Sequence, residues 1–550
     1  MKFSATTFTN SLKTLCMLLP CFVFTFALYS CRDNENQTTE VGQATVSITM
    51  LGSESEVEDS PLPSLENRSS IQRAATSSPV ADLASTVALD EYHALDVRME
   101  TLSSASGKRM AHATATDNRS ATGNMAAARI VNTPLANGIR YKLVVYNDQG
   151  VFVTEKDYVY GQTTSDLLLD AGKVYTFIAY SINSTNNDLP TVSNRNLLTT
   201  AMVNNVSADL MYFIKERVTL TFGDNNLAIT LKHKYAQITT RITMDDNTTG
   251  NITRIVTPTI SSTYANGNLK LSDGTVTYNG AQNTSVPVQF SVPATGTRNI
   301  ASQPTLLVSP TNPAGVLRFS SITIDGETKT NITVPNVNIY PGSRYNLNLT
   351  FKTCTEAVSG VTGFNWNYPA NTGSTNPGGI TIPGTGSVPR GYTLRQQIVA
   401  PASDYGFVFD IYQLDNSFNM ELNGVTLATK EIQFEPNIGD LPQNIRFRDG
   451  SRYQGPNTEG GANIGPVYNM TGTTAAPLIR VLIGRNGDVQ ILGSKVAGGP
   501  LYELELFDNN TFNTFRWNTN QDNVISVTQR VDGRTIMRGS GSGRKKVPCN

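Results

Sequence analysis

The feature that most restricts this chain is alternation at a period of two. Tyr345, Leu347 and Leu349 stand two apart with Asn346 and Asn348 between them. Near the other end, Val46, Ile48 and Met50 alternate with Thr45, Ser47 and Thr49. Successive side chains of a strand point to opposite faces, so such a pattern buries one face and leaves the other wet. Strand-like runs recur at 141–146, 172–180, 218–222, 227–244, 407–412, 478–483 and 489–492. Asn423-Gly424 and Asn486-Gly487 supply hairpin turns, because both central positions of a tight turn need a left-handed backbone. Residues 83–102 are the one stretch that fits a helix as readily as a strand. The expected fold class is all-β, built from antiparallel sandwiches.

Composition narrows the functional classes. The chain has 550 residues, 43 Lys+Arg against 44 Asp+Glu, and only 16% charged residues, where soluble domains usually carry about 25%. A basic stripe of the kind nucleic acid requires is missing from this balance, so no nucleic-acid partner is expected. With 39% hydrophobic residues, 21 Tyr and 21 Phe, there is enough apolar surface for several cores.

The N-terminus carries export signals. Lys2 and Lys13 flank a short positive region, and an apolar run from Leu15 to Leu28 follows, too short and too early to favour a membrane span. Leu28-Tyr29-Ser30-Cys31 resembles the lipobox of bacterial lipoproteins, in which the Cys is lipidated and the peptide is cut before it. Cys31 is therefore the expected lipidation site. Once Cys16 and Cys21 leave with the signal, only Cys354 and Cys549 remain, an even pair in an oxidising compartment. They are either two separate thiols or a disulfide closing the last two hundred residues; in the chain-entropy model such a bridge contributes about 5 kcal/mol.

The segmentation follows from these patterns. Residues 1–30 form the signal, and 31–82 a tether, a first strand at 44–50 and a Ser/Glu/Pro-rich loop bearing Arg68 and Arg73. A β-sandwich is expected at 83–216 and another at 217–352. A Gly/Pro/Asn-rich linker at 353–390 leads to a β-rich C-terminal module at 391–550.

Four features in this order resemble the Bacteroidetes fimbrillins, or type V pilins: the lipobox, the first strand followed by an Arg-bearing loop, the LKHKYAQITTRI segment at 231–242, and the YPGSRYNLNLTF segment at 340–351. The resemblance spans roughly residues 16–352. It implies two sandwich domains, transient lipidation at Cys31, and removal of the first strand by an Arg-specific protease. The groove so opened would take a strand from another subunit. By position Arg73 is the first choice for the cut and Arg68 the second, with Arg98, Arg109 and Arg119 behind them. The extra C-terminal module sets the chain apart from a stalk subunit and resembles tip or accessory subunits. The implied partners are other fimbrial subunits, with a host matrix protein, a glycan or another bacterium as adhesion targets. The implied location is a surface fimbrium reached through the outer membrane.

Catalytic signals are weak, and no enzyme, cofactor or metal is expected. The three histidines, His93, His112 and His233, lack a metal-ligand spacing. Asp410, Asp415 and Glu421 are the most visible carboxylates for a glycosidase pair, and Asp415-Asn416-Ser417 is a weak calcium candidate. Tyr453, Asn457, Asn463 and Tyr468 in the long 450–475 loop, with Trp366, Tyr405 and Trp517, are candidates for sugar or protein contact or for ordinary core packing. The alternative function is a lipid-anchored outer-membrane glycan-binding protein or glycoside hydrolase.

Overall fold

The computed structural model describes residues 42–55, 83–102 and 131–549, except 283, 311, 359–361, 374–375, 437–440 and 460. The signal region, Cys31, Arg68, Arg73, Arg109, Arg119 and His112 lie outside the described residues. The described chain is all-β, with two short 3-10 turns as its only helical elements among those residues.

The first sheet has eight strands. They are β1 (Gln43–Ser55), β4 (Val131–Thr133), β5 (Arg140–Asn147), β6 (Phe152–Val159), β7 (Leu167–Asp170), β8 (Val174–Ser181), β9 (Met211–Thr219) and β10 (Gly223–His233), set apart in sequence by β2 (Leu83–Ala88) and β3 (His93–Thr101). The spatial order is β4-β1-β10-β9-β8-β5-β6, with β7 also paired to β1. One core gathers Val46, Leu143, Phe177, Leu227 and Ile229. On the opposite face of β5 and β8, Val144, Tyr146, Ile178 and Tyr180 pack against a small four-stranded sheet. This explains why β5 and β8 are apolar without clean alternation: both of their faces are covered.

The second sandwich takes its strands from distant parts of the chain. The β2–β3 hairpin, the segment that also fits a helix, lies beside β12 (Arg344–Thr353), which pairs in parallel with β11 (Ala236–Met244). A five-stranded sheet closes over them around Leu347, Leu349, Phe319 and Val334. The spans drawn at 83–216 and 217–352 are thus crossed by the pairing. The hairpin at 83–101 joins the later sandwich, and β10, which begins at Gly223, belongs to the earlier sheet. Hairpin turn chemistry was visible; partner choice was not, since every backbone offers the same N–H and C=O groups.

The C-terminal unit packs an eight-stranded sheet, including β13 (Phe407–Leu414), β14 (Ile479–Ile483) and β15 (Thr535–Lys546), on a five-stranded one. Residues 353–390 do not stand apart as a linker. Their strand Thr362–Tyr368 pairs with β15, and Phe364 and Trp366 enter the C-terminal core from its inward positions. Asn423 and Gly424 both have positive φ (51° and 85°), and Leu422 pairs with Val425 across them, as the Asn-Gly signal predicts.

A polar seam joins this unit to the second sandwich. Arg298, buried, donates from Nη1 to the Thr248 carbonyl and to Gln490 Oε1, both at 2.7 Å, while Gln490 Nε2 donates to the Gly250 carbonyl at 2.7 Å. Tyr405 Oη donates to Thr353 Oγ1 at 3.1 Å and accepts from Thr249 N at 3.2 Å. Cys354 and Cys549 form a disulfide with a Cα–Cα distance of 5.4 Å. Their amides donate to the Tyr92 and Glu91 carbonyls, so the bridge sits against the turn between β2 and β3.

Candidate functional site

The site is β1 and the groove that holds it. Ala44, Val46 and Ile48 face inward, almost wholly buried, whereas Thr49 and Leu51 face solvent. The strand extends to Ser55, beyond the alternating 44–50 segment. Toward its C-terminal end Gly52 has φ of 132°, and a Cβ there would lie 2.4 Å from the Thr133 carbonyl oxygen. Only glycine admits that approach, and the ladder to β10 slips in register between Met50 and Gly52. The bulge lets one strand serve two neighbours in succession.

Those neighbours depend on it. On one side β1 runs parallel to β10, from Ala44 opposite Gly223 to Glu54 opposite Lys232. On the other it pairs antiparallel first with β7 and then with β4. Neither β7 nor β4 pairs with any other strand among the described residues. The ladder between β10 and β9 amounts to two pairs, Met211 with His233 and Tyr212 with Lys232. Without β1, most of β10 would show an unpaired edge, and Leu227, Ile229 and Leu231 would lose their cover. Each such side chain is worth about 1.5–3 kcal/mol when fully buried, and an exposed edge is a template for another strand.

Polar contacts fix the register. Ser47 Oγ donates to Asp166 at 2.9 Å and Thr49 Oγ1 to Asn226 at 2.8 Å. At the far end Ser53 Oγ lies 3.3 Å from His233 Nε2. The other ring nitrogen of His233 lies 3.0 Å from Asp209 Oδ1, and Arg344 Nη2 donates to Asp209 Oδ2 at 2.7 Å. Burial alone would push the Asp209 carboxyl up, but His233 and Arg344 beside it hold it below the usual range. Because Arg344 opens β12, this cluster links the end of β1 to the second sandwich. A structural or solvated role is all that the sequence suggests for His233; its partners Ser53, Asp209 and Arg344 lie more than a hundred residues from one another, and no local spacing could disclose the cluster.

The other candidates are dispersed. Asp410 pairs with Arg480 at 2.7 Å and Glu421 with Arg395 at 2.6 Å, so these carboxylates do not converge. Asp415 accepts from Asn416 N (2.7 Å), Gln529 Nε2 (2.6 Å) and Ile536 N (3.2 Å), which occupies its lone pairs with N–H donors rather than leaving them for calcium. Among the described residues no group of three or more His, Cys, Asp or Glu is placed to hold a metal. His93 is buried beside Asp90 (2.6 Å) and near Glu327 at the seam. Trp366, Tyr405, Tyr453 and Trp517 are buried, and each spends its polar atom on an internal partner such as Gln529, Thr353, the Ser494 carbonyl or the Ser403 carbonyl. Of the aromatic candidates, Tyr468 alone is exposed. Arg98 sits within β3, paired with Ala84 on one side and Asn348 on the other.

Comparison with known proteins gives a family match. Residues 105–366 match the model of a family described as fimbrillin-like. Among solved structures, a putative cell adhesion protein from Bacteroides fragilis is 15% identical, with 44% of this chain and 92% of that one covered and a TM-score of 0.30. A fimbrial assembly protein from Parabacteroides distasonis is 12% identical (38% and 83% covered, TM-score 0.26). The fimbrial anchor protein from Porphyromonas gingivalis is also 12% identical (42% and 86% covered, TM-score 0.26). No curated protein matches.

Proposed function

Residues 105–366 are fimbrillin-like, and on that premise we propose that this chain is a tip or accessory subunit of a bacterial fimbrium. The family supports the broader assignment, a fimbrial or adhesin-type surface protein that works with other fimbrial subunits and not as an enzyme. The finer scheme is export as a lipoprotein through Cys31, cleavage after Arg73 or alternatively Arg68, and insertion of another subunit's strand where β1 had been. Adhesion then falls to the C-terminal unit, toward a host matrix protein, a glycan or another bacterium.

The observation that carries this reading is the position of β1, which completes the first core and is the sole described ladder partner of β4 and β7. Connectivity favours the earlier arginines. A cut after Arg68 or Arg73 falls between β1 and β2, so β1 would be held by non-covalent contacts alone. A cut after Arg109 or Arg119 would leave β1 joined to β2 and β3, and β3 is paired with β12 from Thr101 opposite Tyr345 to His93 opposite Thr353. Arg98 lies inside that ladder and would require the strand to unfold first.

N-terminal sequencing of the protein recovered from sheared fimbriae tests the scheme. A start at Ala74 is expected, or at Ser69 for the alternative cut. A mature start at a lipidated Cys31 in fibre-associated protein would refute it.

A further inference from the structure

The exposed aromatic of the 450–475 loop leads to a second site, inside the C-terminal unit. Tyr468 lines a pocket of about 200 Å³ together with Gln413, Leu414 and Asn416 at the end of β13, and Arg534 and Ile536 at the start of β15. From the groups on its walls we propose that this pocket binds an acidic sugar residue of a glycan, one pyranose ring carrying a carboxylate. The proposal rests on the reading of the C-terminal unit as the adhesive part, and it names the ligand class.

Three observations specify that ligand. The first is unspent hydrogen-bonding capacity. Asn416 is 4% exposed, yet its side-chain amide makes no hydrogen bond among the described residues. Its Oδ1 is sealed off without a partner, whereas Nδ2, equally unpaired, is not sealed off, and the pocket that Asn416 lines is where that donor is reached. Gln413 beside it is half-buried, and its amide is also unpaired among the described residues. A buried polar group without a partner costs about 1–3 kcal/mol, and ligand sites orient their ligands through a few convergent groups of this kind. Sugar hydroxyls both donate and accept, which suits two amides.

The second observation is charge. The Arg534 guanidinium is exposed on the wall and pairs with no carboxylate among the described residues. Two carboxylates share the lining, and both are spent. Asp532 is engaged with Arg390 at 2.8 Å. Asp415 accepts from Asn416 N, Gln529 Nε2 and Ile536 N, and burial pushes its carboxyl up to about 7, which reduces its charge near neutral pH. The unmatched charge is therefore a guanidinium, whose planar fork fits a carboxylate. Third, Tyr468 is 47% exposed and offers a flat apolar ring at the pocket, with Leu414 and Ile536 as further apolar lining. The C–H face of a pyranose packs on such a ring while the Tyr hydroxyl stays wet. The volume falls below the roughly 300–1,000 Å³ usual for ligand sites, which suits one ring rather than a peptide segment. A neutral sugar would leave Arg534 unmatched, and a bare anion would leave the ring and the amides unused.

Saturation-transfer NMR on the full chain, titrated with methyl glucuronide, is the test. Saturable binding is expected, with methyl glucoside, the same ring without the carboxylate, at least about tenfold weaker. Arg534→Gln should weaken the glucuronide by a similar factor and leave the glucoside unchanged. Tyr468→Ala should weaken both by about two- to tenfold. Both side chains are exposed, so neither substitution opens the core. Equal binding of the two glycosides, or glucuronide affinity untouched by Arg534→Gln, would overturn the proposal, as would an absence of saturable binding. A protein that binds the glucuronide but starts at a lipidated Cys31 in fibres would keep the pocket and lose the cleavage scheme. One that starts at Ala74 and binds no glucuronide would lose the pocket alone.

Discussion

The first sheet and the C-terminal unit secure a terminal strand in opposite ways. β1 lies within its sheet, flanked on both sides, yet its only described attachments are ladder bonds, apolar contacts and a few side-chain hydrogen bonds. β15 also sits within a sheet, between β13 and the strands Thr355–Ala357 and Thr362–Tyr368. Just past it, however, the chain is tied covalently, Cys549 to Cys354 across a sequence separation of 195. The difference teaches which interior strand can leave without breaking a covalent bond once the backbone is cut nearby. Burial in a sheet does not distinguish them; covalent connection does.

The comparison is broken most directly by removing each strand's anchor. Deleting residues 42–55 should abolish cooperative unfolding of the first sheet while leaving that of the C-terminal unit, as read by hydrogen exchange of β8 and β13 amides. Ile48→Ala alone should cost the first sheet about 2–4 kcal/mol in a denaturant titration. If β8 stays protected after the deletion, β1 is a passenger and the first core holds without it. On the other side, the double substitution Cys354→Ser with Cys549→Ser should lower C-terminal stability by about 2–5 kcal/mol and leave protection of β10 unchanged.

The seam gives the next effect. Replacing Arg298 with Met removes donors from the Thr248 carbonyl, Gln490 and the Asp245 carbonyl, leaving them buried. An unsatisfied buried acceptor costs about 1–3 kcal/mol; part of that loss should appear as new protease sensitivity between the second sandwich and the C-terminal unit. Intact resistance to limited proteolysis would show that Arg298 is not needed to hold the two together.

The smallest effect is one of pH. Burial pushes the carboxyls of Asp415 and Glu435 in the C-terminal unit up to about 7. A raised folded-state pKa means that stability is fully present below the unfolded value near 4 and is lost as pH rises through about 7. Glu327 at the seam runs the other way. Burial opposes its ionisation, but Lys329 and Lys546 bring it down to about 2, so its contribution holds above the ordinary carboxylate range and is lost as pH falls through about 2. Glu435→Gln should therefore flatten the decline between about pH 4.5 and 7, gaining about 2–3 kcal/mol at neutral pH if its amide oxygen keeps the bond from Val467 N and the Gln454 amide turns to accept from the new NH2. Thermal melts across that range would measure it, and an unchanged slope would place the titration elsewhere.

How much of this was legible varies by residue. Val46, Ile48 and Met50 announced a strand, and Asn486-Gly487 does lie in the hairpin joining β14 to strand Val489–Ser494, but in a five-residue loop, 484–488, where Gly487 takes a positive φ (86°) and Asn486 does not. The 83–102 segment fits two periods; β2 and β3 pair with each other, and β3 is held as a strand by nine successive pairs with β12 that no local window contains. The aromatics of the 450–475 loop and of the Gly-rich 353–390 segment suggested binding surfaces or a linker. Tyr453 and Trp366 take the core-packing alternative, because an aromatic ring in a polar neighbourhood still contributes more when buried than when wet. Arg298 and Gln490 gave no signal at all, since an amide or guanidinium gains its meaning from what surrounds it.

By itself, then, the sequence determined the periodicity: an all-β chain, its main strands and turns, and a first strand with one apolar face. The tertiary structure decided who pairs with whom. It set Thr49 beside Asn226, 177 residues away, and it set the disulfide against the turn between β2 and β3. The physical reason is that side-chain alternation is written locally, whereas ladder hydrogen bonds use backbone groups that are the same at nearly every residue. Their partners are chosen only when whole faces find mutual burial.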